Sequence, residues 1–461
     1  MQVPKFKEYL TEAKEDKGYL RLLIITDEPE EAKTFHTADR LREECDKLKF
    51  PNYLFKLTGG YTTHVDGVRR FHNKDDKKGF EIDGDTVAII RGSITRKDSW
   101  MDFVSILEKA GVCVVNNRQS ISVCADKYRT SLRLADYGLT EPKTVLINDT
   151  EKSVDIVEQN GLKFPMIMKT LRGSKGVGVL FIDSPKALDS IVQLIHKQDE
   201  DTDLLAQQYI KTEYDVRVHI LGGKFLAAMK RPVIEGDFRS NVSQGSKPET
   251  IKLTDLEIEQ SLLAAKAVNG IWTAVDFIPS KNRESEPPYI LEVNSSPGTE
   301  GIEDATNKNI SLEVINYLAN KDNRYKTPTE CGYKEVVTVK PFGEIIAKFD
   351  TGNSGMPVIH ADKYEVSGKS IKWTLLGKTI ESTIIRKEEI KVGGLRDYEE
   401  TRYVVKLDVE FAGGIYKDVE FTLDDRDERT LILLDREFMN RLNVMVNPRR
   451  KYVITTKFSI D

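Results

Sequence analysis

Leu291-Glu-Val-Asn-Ser-Ser-Pro-Gly-Thr-Glu-Gly-Ile-Glu303 decides how this chain is read. Glu292 and Asn294 flank Val293 at the end of the apolar run Tyr289-Ile-Leu-Glu-Val293. In a strand, alternate side chains share a face. Glu292 and Asn294 then point one way, and Leu291 and Val293 point into a core. Two hard oxygen ligands followed by a Ser-Ser-Pro-Gly turn suit Mg²⁺, which takes oxygen ligands and usually keeps phosphate oxygens among them. Upstream, Asp276 lies in a second apolar run, Thr273-Ala-Val-Asp-Phe-Ile-Pro279, and Ser280–Pro288 between the two runs is polar. Two strands joined by a polar loop predict a hairpin, with Asp276 facing Glu292 across it. A solvated strand face carrying a few acids would read the same way at this point.

Composition narrows the class. A chain of 461 residues is too long for one ordinary core and predicts several domains. Its 39% hydrophobic and 31% charged residues are a globular balance. A net charge of −5 argues against a generic nucleic-acid binder, which needs a basic field. Cys45, Cys113, Cys124 and Cys331 are scattered without CxxC spacing, which fits a reducing compartment and no zinc site. No apolar run reaches the roughly 18 residues of a spanning helix, so no membrane partner and a cytoplasmic location are expected.

Working outward, Leu22–Thr26, Asp85–Arg91 and Val112–Val115 read as buried strands, with helices at 34–49 and Trp100–Ala110 between them. That alternation predicts a mostly parallel α/β sheet. Helices follow at Asp126–Tyr137, Leu256–Asn269 and Ile310–Asn320, and strands at Thr144–Ile147, Met166–Lys169, Leu204–Ile210, Val216–Ile220 and Phe225–Lys230. Asn320–Thr329 is polar and Pro-containing, as linkers are. Beyond it, short β-rich runs predict an all-β sandwich or barrel.

Lys169-Thr-Leu-Arg-Gly-Ser-Lys-Gly-Val-Gly178 is Gly-rich. Glycine lets backbone amides approach phosphates closely. It is not a Walker A loop, because Gly178 leads into the β-rich Val179-Leu-Phe-Ile182 rather than a helix. A flap between two strands over a triphosphate fits, as does an ordinary glycine hairpin. Lys169 would neutralise phosphate charge, and Gln208-Tyr209-Ile210 could present backbone groups and an apolar edge to adenine.

Taken together, Gly92-Ser-Ile-Thr95, Val115-Asn116, Asp126-Lys127, Lys169 with Gly173–Gly178, Gln208–Lys211, Asp215-Val-Arg217, Gly236-Asp-Phe-Arg-Ser-Asn241, Val275-Asp276 and Leu291–Glu303 resemble the ATP-grasp superfamily. The likeness is to its RimK-like branch, the ribosomal-protein glutamate ligase group. It spans about residues 20–320, and Gly236–Asn241 and Glu292–Glu303 are specific to that branch. The resemblance implies a pre-ATP-grasp α/β domain plus a two-lobed α+β nucleotide clamp. Lys127, Lys169, Gly173, Ser174, Gly176 and Gly178 would meet the ATP phosphates. Gln208, Tyr209 and Ile210 would line the adenine hinge, and Asp215 would lie near the ribose. Arg239, Ser240 and Asn241 would bind nucleotide. Asp276, Glu292 and Asn294 would hold Mg²⁺ or Mn²⁺, two ions being expected. Gln208 departs from the Glu more usual at the hinge. The reaction would join a carboxylate to an amine through an acyl-phosphate, with glutamate added to a protein or peptide, a ribosomal protein being one candidate acceptor. Arg217, Arg231 and Arg239 are candidates for cradling the phosphoryl group or substrate carboxylates, since the Arg fork matches both.

Phe349-Asp350-Thr-Gly-Asn-Ser354 carries an Asp-Thr-Gly after an apolar strand, the aspartic-protease signature. Residues 335–455 resemble the retropepsin-like RimB-like family ("ATP-dependent zinc protease"). One Asp-Thr-Gly per chain implies a C2 homodimer in which two copies of Asp350 share a proton. Lys391–Leu395 is a flap candidate from its glycines, Asp435 stands where relatives usually carry Gly, and His360 reads as structural. The expected organisation is an extension (1–20), the pre-ATP-grasp domain (21–123), the ATP-grasp domain (124–320), a linker (321–334) and an all-β retropepsin-like domain (335–461). The alternative is a small-peptide or amino-acid carrier ligase whose β-domain is a non-catalytic dimerisation or docking module.

Overall fold

Leu22, Leu23, Ile24 and Ile25 are all fully buried, so β1 (Arg21–Thr26) reads as an unbroken apolar run rather than an alternating one. A strand of that kind belongs inside a parallel sheet covered on both faces. The computed structural model describes residues 19–27, 36–65, 68–149, 151–171, 178–198, 202–233, 247–391, 399–412, 414–426 and 430–455. The chain divides into two units, Met1–Lys326 and Thr327–Asp461.

In the first unit, α1 (His36–Lys47) and β2 (Asn52–Lys56) follow β1, then β3 (Tyr61–Val65), β4 (Val68–His72) and β5 (Phe80–Glu81). Next come β6 (Thr86–Arg91), α2 (Asp98–Lys109), β7 (Cys113–Val115), α3 (Arg118–Cys124) and α4 (Lys127–Asp136). The parallel sheet has the order β2-β1-β6-β7. Leu22, Ile24, Val87 and Ile89 pack toward α1. Leu23, Ile25, Ala88 and Ile90 pack with Met101, Val104 and Leu107 of α2. The antiparallel β3-β4-β5 sheet was not anticipated. Its outer strands are short or exposed, so it lacks a clean alternating pattern, and it is anchored by buried Phe71 and Phe80.

A four-stranded antiparallel sheet comes next, built from β8 (Thr144–Ile147), β9 (Met166–Thr170), β10 (Val179–Ile182) and β11 (Leu204–Gln208) in the order β10-β9-β11-β8. Helices α5 (Ser153–Gln159) and α6 (Pro185–Gln198) cover one face, against Met166, Met168, Leu204, Ala206 and Ile182.

The sheet that carries the site is β14-β13-β12-β15-β16. Its strands are β12 (Tyr214–Leu221), β13 (Lys224–Pro232), β14 (Glu249–Thr250), β15 (Trp272–Ile278) and β16 (Tyr289–Asn294). One face is apolar. Val216, Val218, Ile220, Ala228, Val275, Phe277, Ile290 and Val293 pack on Ala264, Ala265 and Val268 in and after α7 (Asp255–Ala267) and on Leu134 of α4. Burying one such Val, Ile or Phe contributes about 1.5–3 kcal/mol, so this layer fixes the register and hence what the opposite face presents. The run was expected to turn Leu291 inward; a bulge between Asp276 and Phe277 leaves Leu291 outside the pairing and half-buried. Helices α8 (Glu300–Thr306) and α9 (Ile310–Ala319) close the unit. No helix among the described residues is long and apolar enough to cross a membrane.

The second unit contains β17 (Thr329–Gly332), β18 (Lys334–Lys340), β19 (Gly343–Phe349), β20 (Val358–His360), β21 (Lys363–Ser367), β22 (Ser370–Leu375), β23 (Lys378–Thr383), β24 (Arg386–Lys391), β25 (Glu399–Phe411), β26 (Gly414–Asp424), β27 (Ile432–Leu434), α10 (Arg436–Leu442) and β28 (Val444–Asn447). Its main sheet runs β18-β19-β27-β20-β26-β25-β24, and β18 also pairs with β25, closing a barrel. Phe349, Phe421, Val405, Val409 and Leu434 fill it. Glu335 is fully buried. It accepts hydrogen bonds from the amides of Gly332, Val453, Ile454 and Thr455 and from the Thr455 hydroxyl, tying the 453–455 segment to the barrel. Those donors hold its carboxyl below its ordinary range against the opposing effect of burial.

Candidate active site

Opposite the apolar layer, the β12–β16 sheet presents a polar face. Register places Arg217 opposite Asp276, Asp276 opposite Glu292, and Ala274 opposite Asn294, so Asp276, Glu292 and Asn294 share this face. Asp215 lies opposite Arg231 on the same face. Arg217 forks onto Asp276, Nε donating to Oδ1 at 2.7 Å and Nη2 to Oδ2 at 2.6 Å. Arg231 forks onto Asp215 in the same way, at 2.7 and 2.6 Å, and its Nη2 stands 3.0 Å from Asp276 Oδ2. The Arg231 and Asp276 side chains are only 3% and 4% exposed. Burial alone would raise the Asp276 pKa, yet the two guanidiniums hold it well below the usual carboxylate range.

This network fixes what three of the expected site residues touch. Both Asp215 oxygens accept from Arg231, which puts Asp215, expected near the ribose, in an ion-pair frame. The forks of Arg217 and Arg231, read as phosphoryl cradles, are turned onto carboxylates. A short, fully desolvated carboxylate is a better partner for a buried guanidinium than a site left open, because an unpaired buried charge is very costly. At the hairpin end, Asn294 Nδ2 donates to Glu292 Oε1 at 3.2 Å, a bond that does not use the Asn294 amide oxygen, which remains an acceptor.

The facing lobe supplies cations. Lys169 lies on β9 opposite Leu205 and on the same face as Gln207, and its Nζ donates to Gln207 Oε1 at 2.6 Å. Burial pushes the Lys169 pKa down to about 8, with Glu292 opposing and Lys127 adding to the fall. Lys127 opens α4, whose N-cap Asp126 accepts from the Arg129 amide at 2.9 Å. Its pKa is also lowered by burial, against Glu292 and Asp126. Glu292 therefore acts on both lysines. Gln207 was missed: the parity of β11 puts Gln207, not Gln208, on the Lys169 face. The Gln208 side chain instead accepts from the Lys143 amide at 3.3 Å. Tyr209 packs edge-on against Phe181 at 5.2 Å, and Phe181 is 40% exposed; Ile210 follows, half-buried. Gly178 has φ +79°, and a Cβ there would stand 2.5 Å from Thr170 Oγ1, so glycine is required where the flap meets β9. Gly173, Ser174, Gly176, Arg239, Ser240, Asn241 and the Val392–Leu395 part of the flap candidate in the second unit lie outside the described residues.

The loop after Asn294 is held from the parallel sheet. Asn116, fully buried at the end of β7, donates to Trp272 O at 2.6 Å and Ser295 O at 2.7 Å and accepts from the Ile271 and Trp272 amides at 2.7 and 3.1 Å. One side chain thus ties β15 and the turn after β16 to the end of the parallel sheet. His219 sits on the polar face opposite Ala227 and Ala274. Burial, with Arg217 adding, pushes its pKa down to about 3 against the pull of Asp276, so the ring is neutral.

The face suits a metal–triphosphate. Glu292 and Asn294 offer oxygen ligands of the hard type. A carboxylate has about four lone-pair sites, and the two arginines leave Asp276 room for one further contact. Among the described residues no group of three His, Cys, Asp or Glu side chains converges on a metal position; an amide oxygen and phosphate oxygens would complete the set.

In the second unit, Asp350 follows β19. Its amide donates to Leu434 O at 3.0 Å, its Oδ1 accepts from the Gly352 amide at 3.1 Å, and Lys348 Nζ lies 3.3 Å from Oδ2. Asp435, where a glycine was expected, has φ −88° and caps α10 by accepting from the Glu437 and Phe438 amides. That is ordinary backbone for a non-glycine residue, and aspartate is a favoured N-cap. His360 accepts the Arg426 amide at Nδ1 (2.9 Å) and therefore carries its proton on Nε2, which is 3.0 Å from Asp362 Oδ1; both nitrogens are satisfied within the fold.

A lysine-bearing antiparallel lobe facing a carboxylate-bearing sheet, preceded by a parallel α/β domain, defines an ATP-grasp enzyme. The macrocyclase MdnC of Microcystis aeruginosa, solved bound with its precursor peptide MdnA, shares this fold at a TM-score of 0.50 and 14% identity, covering 66% of this chain and all of that one. Residues 124–318 match the family model for the RimK-like ATP-grasp domain, and residues 331–457 match that for the retropepsin-like aspartic endopeptidase RimB. A probable alpha-L-glutamate ligase of Marinobacter nauticus is 35% identical over 224 residues, 48% of this chain and 72% of its own length. A second, from Pseudoalteromonas atlantica, is 36% identical over 219 residues, 47% and 70% respectively. The chain belongs to the RimK-like alpha-L-glutamate ligase family of ATP-grasp enzymes, with a RimB-like, retropepsin-like β-domain after it. It is an ATP-dependent carboxylate–amine ligase; ATP-grasp enzymes use ATP with Mg²⁺ or Mn²⁺.

Proposed function

We propose that this ligase joins the amine of glutamate to a carboxylate of a protein or peptide acceptor, a ribosomal protein being one candidate. The observation that carries this is the polar face itself: Asp276, Glu292 and Asn294 share one side of the β12–β16 sheet, and Glu292 acts to raise the pKa of both Lys127 and Lys169. That is the charge layout a triphosphate needs. The names of the relatives support the choice of glutamate.

The acceptor carboxylate takes the γ-phosphoryl group from ATP and becomes an acyl-phosphate. The glutamate amine attacks the acyl carbon, the new amide forms, and phosphate leaves. Lys127 and Lys169 neutralise the phosphates, and Gln207 fixes the Lys169 ammonium. The Arg217–Asp276–Arg231–Asp215 frame keeps donors rigid, so little reorganisation is needed during transfer. Arg217 and Arg231 act through Asp276 and Asp215, which they hold in place; Arg239 steers the phosphoryl group and carboxylates, while Lys169, Gly173, Ser174, Gly176, Gly178, Gln208, Tyr209, Ile210, Ser240 and Asn241 hold the nucleotide. Two Mg²⁺ or Mn²⁺ ions at Asp276, Glu292 and Asn294 would offset phosphate charge and polarise the transferred group. Incubating the protein with Mg-ATP, glutamate and a cell extract should add glutamyl increments to an acceptor, read by intact mass. Unchanged ADP release in a Glu292→Ala, Asn294→Ala variant would sink the metal assignment.

For the β-domain we propose an aspartic-peptidase-type module in which Asp350 from two copies forms the dyad, making the protein a homodimer. An Asp350→Asn variant should lose peptide cleavage and keep ligation. If neither protein cleaves peptide while both ligate, the domain is a docking module instead.

A further inference from the structure

The carboxyl ends of β1 and β6 carry charged groups that the chemistry above does not use. Beyond β1 lies Asp27, whose side chain is 2% exposed. β6 ends at Arg91, and beyond it come Gly92 and the 3-10 turn Ile94–Arg96. Gly92 has φ +82°, and a Cβ there would stand 1.7 Å from Asp27 Oδ1. Only glycine lets the carboxylate lie in this place. Arg96 Nη2 is 2.8 Å from Asp27 Oδ2, yet the Arg96 side chain is 66% exposed. Oδ2 receives no aligned hydrogen bond, so charge attraction is what holds the guanidinium, and its Nε and Nη1 are left for a second partner.

Two further groups border this spot. Arg91 Nη1 donates to Pro297 O at 2.9 Å, and its guanidinium lies over the Trp272 ring at 5.6 Å. The Gly92 amide donates to Ser296 Oγ at 3.2 Å, which uses a lone pair of that hydroxyl and leaves its proton to donate. Ser296 follows Asn294 by two residues, so these groups adjoin the proposed metal-binding end of β16. Ligands of open α/β sheets bind beyond the carboxyl ends of the strands. A buried carboxylate is costly unless paired; here it orients an exposed arginine at such an end. Guanidinium forks match carboxylates bidentately.

We propose that Arg96, oriented by Asp27, binds the side-chain carboxylate of the incoming amino acid, with Arg91 and Ser296 bordering the same subsite, and so selects a dicarboxylic substrate. The proposal rests on the ligase reading and adds a specificity residue to it. Asp27 is a positioning residue, acting through Arg96.

The test is calorimetric titration of L-glutamate, and separately L-glutamine, into the full-length protein saturated with Mg²⁺ and a non-hydrolysable ATP analogue. Arg96→Ala should weaken glutamate binding by roughly 10- to 100-fold, the range for losing a charged contact. It should leave glutamine and nucleotide binding within about twofold, since those contacts do not involve the lost carboxylate pairing. Arg96→Lys should restore part of the loss, and Asp27→Asn should give a smaller loss of the same sign. Arg96→Ala leaves Asp27 buried without its partner and should lower the melting temperature, so retained nucleotide binding is the control that the protein under titration is folded. Unchanged glutamate affinity in Arg96→Ala, a parallel loss for glutamine, or a wild type that binds nucleotide but no glutamate would each overturn the proposal. A wild type that binds no nucleotide would instead overturn the ligase reading beneath it.

Discussion

Replacing Arg231 by Met tests whether the buried ion-pair frame is what holds the polar face in shape. Arg231 makes two charge-assisted hydrogen bonds to Asp215 at 2.7 and 2.6 Å and approaches Asp276 to 3.0 Å, with 3% of its side chain exposed. Met fills similar volume, so the loss is electrostatic rather than a cavity. Asp215 is left buried without its fork, while Asp276 keeps the Arg217 fork. Breaking one side of a buried pair costs about 3–5 kcal/mol. A unit of roughly 300 residues unfolds with an entropy near 0.6 kcal/mol/K, so Tm should fall by about 5–8 °C. Scanning calorimetry reads this, on the transition that a bound ATP analogue raises. Arg231→Lys should recover only part, because an ammonium cannot fork across two carboxylates. The double variant Asp215→Asn, Arg231→Met should cost clearly less than the sum of the two singles. The sign with pH follows from Asp276. Its folded pKa is depressed, so the stability it contributes is full above the unfolded value near 4 and is lost as pH falls through the folded value. The gap between wild type and variant should therefore be full at pH 7 and narrow below about pH 4. A Tm drop under about 2 °C, or strict additivity in the double variant, would refute the idea that the frame carries this energy.

Lys169, with its pKa at about 8, should give kcat/KM for ATP a falling limb near pH 8, where its ammonium is lost. The corresponding limb in kcat should lie higher, because bound phosphates hold the proton; a Lys169→Arg variant that keeps the pH 8 limb would refute the assignment. Gly92→Ala forces a Cβ to 1.7 Å from Asp27 Oδ1 at a positive φ and should lose about 2 kcal/mol or more by thermal melt. Glu335→Gln should detach the 453–455 segment, lowering β-domain stability by about 2–4 kcal/mol and raising amide exchange at Val453, Ile454 and Thr455.

The strand at Tyr289–Asn294 and its hairpin partner were legible because an apolar layer with period two leaves a sheet only one way to face. A different signal, the unbroken apolar run of a strand covered on both faces, exposed β1, β6 and β7. The barrel of the second unit was legible as a class, from short β-rich runs, but its closure through β18 and β25 was not, since strand pairing between distant segments leaves no local mark. The β3-β4-β5 sheet, although local in sequence, was illegible because its outer strands are short or exposed and carry no clean alternation.

The sequence by itself determined which residues could do chemistry: oxygen ligands at Glu292 and Asn294, lysines at 127 and 169, and an Asp-Thr-Gly at Asp350. Tertiary structure decided what each one faces. It turned Arg217 and Arg231 onto Asp276 and Asp215, set Gln207 beside Lys169, and made Asn116 the clamp between the parallel sheet and the loop after Asn294. It also brought Asp27, Gly92 and Arg96 together. The physical reason is that residue type and periodicity set which side of an element a group lies on. Partner choice among charges depends on cross-strand register and on burial, where an unpaired ion is too costly to leave. Those are properties of the packed molecule, and no local stretch of sequence contains them.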